Sequence, residues 1–105
     1  MQSANSSELS ALNRYSAKKF EKPVNFMCFT PDAREVFLSG DFNNWSPTSH
    51  PLSRQSDGAW TGQVLLCHGH HCYWFVVDGK ITLDPRAQGI GRNENNEKVS
   101  LVAVS

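Results

Sequence analysis

The sequence predicts an all-β fold, an immunoglobulin-like antiparallel β-sandwich of the early-set type, on three observations. Short runs rich in Val, Phe, Trp and Tyr recur from Pro23 onward, each closed by a turn signal. Inside the runs every second side chain is apolar, the period of a strand with one buried face. A chain of 105 residues has room for one modest core, which suits six or seven such strands in a single domain.

The elements follow in order. Residues 1–16 are Ser/Asn-rich and read as a flexible N-terminal tail. A helix capped by Ser7 and running through Leu12 would carry too few apolar positions to hold itself against solvent. The domain is expected over 17–105. "VNFMCF" is the first strand, stopped by "TPDA", and "EVFLSG" is the second. "GDFNNWSP", residues 40–47, then sets a lone tryptophan, Trp45, among turn formers and small polar residues where no strand pattern buries it. After "SDG" come "AWTGQVLL", the turn "HGH" and the strand "HHCYWFVVD". Asp78-Gly79 suits a two-residue hairpin turn in which both central residues take positive φ, so "KITL" should return directly against the preceding strand. "KVSLVAV" closes the chain.

Alternation assigns faces. Val36, Leu38, Trp60, Val64, Leu66, Tyr73, Phe75 and Val77 form the expected core. Phe37, Trp74 and Val76 fall on the opposite faces of their strands. That is more apolar surface than a solvated face needs, and it asks for a partner or a ligand.

Several function classes are not expected. The formal net charge is zero, so no extended basic face for a phosphate backbone is implied and no nucleic-acid partner is expected. No apolar run approaches the roughly 18 residues of a membrane span, and no signal-peptide core is present, so no membrane partner is expected. Three cysteines leave one unpaired under any disulfide scheme, which fits reduced thiols and a cytoplasmic location. "CHGHHC", residues 67–72, contains zinc-type ligands, but parity places Cys67, His70 and Cys72 on one face and turns His71 toward the side of Tyr73. With no second ligand pair elsewhere, no metal is expected. No phosphate-cradling Gly loop, nucleophile elbow or paired-carboxylate motif appears, so the chain reads as a non-enzyme without a cofactor.

"VNFMCFTPDAREVFLSGDFNNWSP", "GAWTGQVLL" and "YWFVVDGKITLDP" together resemble carbohydrate-binding module family 48, the early-set domains of isoamylases, glycogen branching enzymes and the AMP-activated protein kinase beta subunit. The resemblance covers roughly residues 24–104 and implies a noncatalytic β-sandwich that binds α-glucan such as glycogen, starch or maltooligosaccharide. The chemistry of Trp45 agrees. A pyranose presents a flat patch of C–H groups ringed by hydroxyls, which an aromatic plate beside donors and acceptors complements.

Carried over residue by residue, the resemblance puts Trp45 at the family's stacking tryptophan. Trp74 stands where the kinase-subunit modules have a lysine, and Ile81 where they have a second tryptophan. Since Trp74 is outward by alternation, it is expected to supply the second plate that Ile81 lacks. Asn43, Asn44, Lys80, Arg92 and Asn95 are the candidate hydroxyl partners. In the loop "RAQGIGRNENNEK", residues 86–98, matching Ile90-Gly91-Arg92 to the family's Leu-Gly-Thr segment brings Asn95 and Asn96 near its binding asparagine. Anchoring on the last strand brings Val99 there instead, and both registers stay open. The alternative, from a different class, is a protein-interaction or regulatory domain. It would use the Phe37, Trp74 and Val76 face for a glycogen-metabolising enzyme or for self-association.

Overall fold

The computed structural model describes residues 21–105; the tail expected over 1–16 and the Ser7–Leu12 segment lie outside them. Among the described residues eight strands form two antiparallel sheets: β1 (Lys22–Phe29), β2 (Val36–Gly40), β3 (Ser53–Arg54), β4 (Ala59–Leu66), β5 (Gly69–Val77), β6 (Lys80–Thr82), β7 (Gly89–Arg92) and β8 (Lys98–Val104). One sheet runs β1-β4-β3 and the other β2-β5-β8-β7, with β6 also pairing β5. The six runs expected from the sequence become β1, β2, β4, β5, β6 and β8. Neither β3 nor β7 was expected, because two residues, or Gly-Ile-Gly-Arg, carry no apolar alternation of their own and are strands only through the neighbours they pair with.

The core lies between the sheets. Phe26, Cys28, Trp60 and Leu66 face Val36, Leu38, Tyr73 and Phe75. Val64 and Val77, also expected in the core, pack against it while only partly buried. Polar groups that enter this core are paired, since an unpaired one would cost about 1–3 kcal/mol. Trp60 Nε1–H donates to the Thr30 carbonyl at 3.0 Å. Tyr73 O–H donates to Asp84 Oδ2 at 2.6 Å, while the Asp84 amide donates to Ser100 Oγ at 2.9 Å. Burial first, then the Asp84 contact, pushes the Tyr73 hydroxyl well above its ordinary range, so it remains a donor. This contact ties β5 to the connection that precedes β7 and to β8.

Asp78 and Gly79 have φ of 47° and 85°, the positive pair a tight hairpin demands, and Val77 sits opposite Lys80. The turn is tied across the molecule. Asp78 Oδ1 accepts the backbone N–H groups of Arg34 at 2.8 Å and Glu35 at 3.0 Å.

Candidate functional site

The site grows from the end of β2. Gly40 is followed by a single 3-10 turn, Asp41–Asn43, and a Cβ at Gly40 would lie 2.6 Å from the Cys72 carbonyl oxygen and 2.5 Å from the Phe42 ring. Only glycine lets the chain leave the sheet so close to β5. Asn43 then closes the turn with its amide. Its Oδ1 accepts the Gly40 N–H at 3.0 Å, and its Nδ2 donates to the Leu38 carbonyl at 3.0 Å and to His50 Nδ1 at 2.8 Å. Asp41 Oδ2 accepts the Cys72 N–H at 3.0 Å, and its Oδ1 lies 3.4 Å from His71 Nδ1.

What this turn presents is Trp45. Asn44 and Trp45 both have positive φ, 56° and 58°. Asparagine tolerates that region, but for a bulky side chain it costs about 1–3 kcal/mol and persists only where surroundings hold it. Here the Trp45 N–H donates to the Gly40 carbonyl at 2.8 Å and the Ser46 N–H to the Asn43 carbonyl at 3.1 Å. The strained backbone lays the indole back over the outer face of β5. Its centroid stands 4.7 Å from that of Trp74, with 52° between the planes.

Trp74 is on the face that alternation assigns, yet it is not an open plate: it is 8% exposed. It packs with Val76 and Val99, and Phe37, Trp45, Cys72, Leu83 and Leu101 complete the cluster. The apolar excess is thus covered by the chain itself at Trp74 and Val76, and in part at Phe37. Packing of Trp45 from the 40–47 turn onto this face, beside the same-face neighbours Val99 and Leu101 of the adjacent strand β8, outweighs what parity alone implies. Ser39, opposite Trp74 across β2 and β5, is buried, and its hydroxyl has no protein partner among the described residues.

The wall facing Trp45 is the β7–β8 hairpin loop. Asn93 organises it: Oδ1 accepts the N–H groups of Asn95 and Glu97, both at 2.9 Å, and Nδ2 donates to Glu97 Oε1 at 3.0 Å. The Asn96 N–H donates to the Asn93 carbonyl at 2.9 Å, with Asn96 itself at φ 64°. Between turn and loop opens a cleft of about 320 Å³ lined by Trp45, Trp74, Asn93, Glu94, Asn95 and Glu97. It offers a half-buried indole, neutral amides and carboxylates, the mixture that suits an uncharged, hydroxyl-rich ring with an apolar face.

The family model described as the glycogen recognition site of AMP-activated protein kinase matches residues 23–105. The chain belongs to that family. Among its relatives, the 1,4-alpha-glucan-branching enzyme of Dictyostelium discoideum is 53% identical over 54 residues, covering 44% of this chain and 8% of that enzyme. The 5'-AMP-activated protein kinase subunit beta-1 of Sus scrofa is 46% identical over 57 residues, 54% of this chain and 44% of that protein. The Homo sapiens subunit beta-1 has the same identity over the same length, 20% of that protein. The matches thus span less than half of each relative's length.

In this glycogen-recognition domain the eight residues singled out from the sequence divide. Trp45, Trp74 and Asn95 line one cleft. Asn43 is spent on the turn, and exposed Asn44 supplies the left-handed step before Trp45. Ile81 shares the outer face, opposite Val76, but stands 56% exposed outside the cleft lining. Lys80 pairs with Val77 at the far end of β5, and Arg92 Nη1 donates to the Asn96 carbonyl at 2.8 Å, bracing the loop from behind. Of the residues at issue in the two loop registers, Val99 is fully buried in the Trp74 cluster, whereas Asn95 lines the cleft. Asn93, Glu94 and Glu97 were not foreseen. The clue was the Asn-x-Asn-Asn string, whose first side chain folds back on the following amides and turns the segment toward Trp45.

Parity along β5 puts His71 on the Tyr73 side, against Phe42, and Cys72 on the Trp74 side. His71 is engaged by Asp41 and, through Nε2, by the Cys67 carbonyl at 2.9 Å, and no group of three or more potential ligands forms among the described residues.

Proposed function

We propose that this domain is a noncatalytic α-glucan-binding module in which one glucose unit lies on the Trp45 indole while Asn95 and Glu94 meet its hydroxyls. The observation that carries the reading is the half-buried Trp45, held at positive φ over a cleft with amide and carboxylate walls. A backbone strain of this kind persists where the surroundings hold it, and it clusters at ligand sites. Trp74 is then the floor that supports Trp45 and offers the cleft only an edge, so a single full plate replaces the two anticipated. The three free cysteines are compatible with a reducing cytoplasm, where glycogen would be the ligand. The protein-interaction alternative has less to work with, because Trp74 and Val76 are buried within the chain, while Phe37 is partly covered and Ile81 beside them stays exposed.

A shallow site desolvates little of its ligand, so the dissociation constant is expected between about 10 μM and 1 mM. Affinity electrophoresis with glycogen in the gel tests the reading. The wild-type domain should be retarded and Trp45→Ala should run as in a plain gel. Unretarded wild type, with no tryptophan fluorescence change on titrating maltoheptaose to the millimolar range, would end the glucan reading.

A further inference from the structure

We propose that the cleft selects uncharged α-glucan and refuses glucan bearing phosphate monoesters, with Glu94 and Glu97 as the residues that set this choice. The inference rests on the glucan reading above and adds a specificity to it. Two of the six lining residues are carboxylates, and none is Lys or Arg. Among the described residues neither carboxylate has a Lys or Arg partner within ion-pair distance. Neither carboxylate is therefore offset by a cation of the cleft lining. Glu97 is also fixed in place, since Oε1 accepts from Asn93 Nδ2 at 3.0 Å.

The nearby cations stand on the wrong side of the sheet. Gly91 pairs with Val99, and Val99 shares the outer-face cluster of Trp74, so this pair marks the cleft face of the β7–β8 hairpin. Arg92 and Lys98 are the next pair along and point to the opposite face by alternation. Lys80 likewise pairs with Val77, whose side chain packs on the core between the sheets. From Asp41 to Ser53 the turn that carries Trp45 contains no Lys or Arg. A neutral glucose hydroxyl meets these carboxylates as a donor and gains a charge-assisted hydrogen bond. A phosphate monoester, close to a dianion at neutral pH, meets two like charges with no Lys or Arg in the cleft lining to compensate, since Arg92 spends its guanidinium on the Asn96 carbonyl behind the loop.

The test compares maltoheptaose with maltoheptaose carrying 6-phosphates along its length, each titrated into the domain by calorimetry or tryptophan fluorescence. At low salt the wild type should bind the neutral chain about tenfold or more tightly than the phosphorylated one, a gap that half-molar salt should largely close because exposed charges are screened. The variant Glu94→Gln/Glu97→Gln keeps the shape and the acceptor oxygens, so it should bind both chains within a few-fold of each other at low salt. Equal or preferential binding of the phosphorylated chain by the wild type would overturn the inference. So would a preference indifferent to both salt and the double substitution, which would assign the exclusion to shape. Salt dependence of the wild type decides the matter even if the variant folds poorly. Binding of neither chain is a separate result, which removes the glucan reading itself and this specificity with it.

Discussion

Emptying the floor of the cleft and removing its plate should have different consequences, although both replace a tryptophan. Trp74→Ala takes out an indole that is 8% exposed and packed on Val76 and Val99, so it should cost about 3–5 kcal/mol. That is a large part of the roughly 5–15 kcal/mol that holds a small domain together. Urea denaturation should show a sharply lower midpoint, with glycogen retardation lost as well. Trp45→Ala removes a half-buried ring and should lower the urea midpoint far less than Trp74→Ala, while still abolishing retardation. Were Trp74→Ala as stable as wild type, the packing described for the outer face would be wrong. At this scale the sequence reveals faces better than exposure. Alternation put Trp60 and Phe75 inside and Trp74 outside correctly, because the period of a strand is a local property. It could not show that Trp45, whose own segment has no periodicity, would return to cover Trp74.

The hairpin at Asp78-Gly79 is the element whose geometry was most legible, since a primed two-residue turn requires positive φ at both positions and the Asp-Gly pair supplies it. Its longer-range tie was not legible, because nothing near Asp78 in sequence announces the N–H groups of Arg34 and Glu35. Those two hydrogen bonds, first that from Glu35 and then that from Arg34, hold the Asp78 carboxyl below its ordinary value. A group whose folded value is depressed stabilises the fold above its unfolded value and loses that contribution as pH falls through the folded one. The wild type should therefore lose part of its urea midpoint as pH drops below about 4, the ordinary aspartate range. Asp78→Asn keeps the acceptor oxygen and tolerates the left-handed backbone, but has no proton to gain. It should start lower at neutral pH, and its gap from wild type should narrow through the acid range. A gap that stays constant down to about pH 2.5 would show that the charge is not what the two N–H groups stabilise. The edge strands β3 and β7 mark the limit at this scale. Their residues pair because β4 and β8 offer open edges, and that information lies elsewhere in the chain.

Across the whole molecule the five-stranded sheet is packed on both faces, one cluster between the sheets and a smaller one under Trp45, and the three cysteines sample different depths of the domain. Composition and turn chemistry were enough to indicate the sandwich, since each strand pattern is written locally. The second cluster was readable only as an unexplained apolar excess. The thiols offer a way to measure how far the layers open together. Cys67 is exposed, Cys72 lies partly covered in the outer cluster, and Cys28 is in the core. Burial raises the Cys72 and Cys28 thiols above their ordinary value, with the charge of Asp41 adding for the first and Asp84 for the second. Alkylation needs the thiolate, so exposure and acidity act in the same direction. With iodoacetamide at neutral pH and no denaturant, mass spectrometry should find Cys67 modified first and Cys72 more slowly. Cys28 should react only as the whole domain opens, at a rate that follows the unfolding equilibrium as urea is added. If Cys28 reacts as quickly as Cys72 in the absence of urea, the core between the sheets opens locally, and the two clusters do not unfold as one unit.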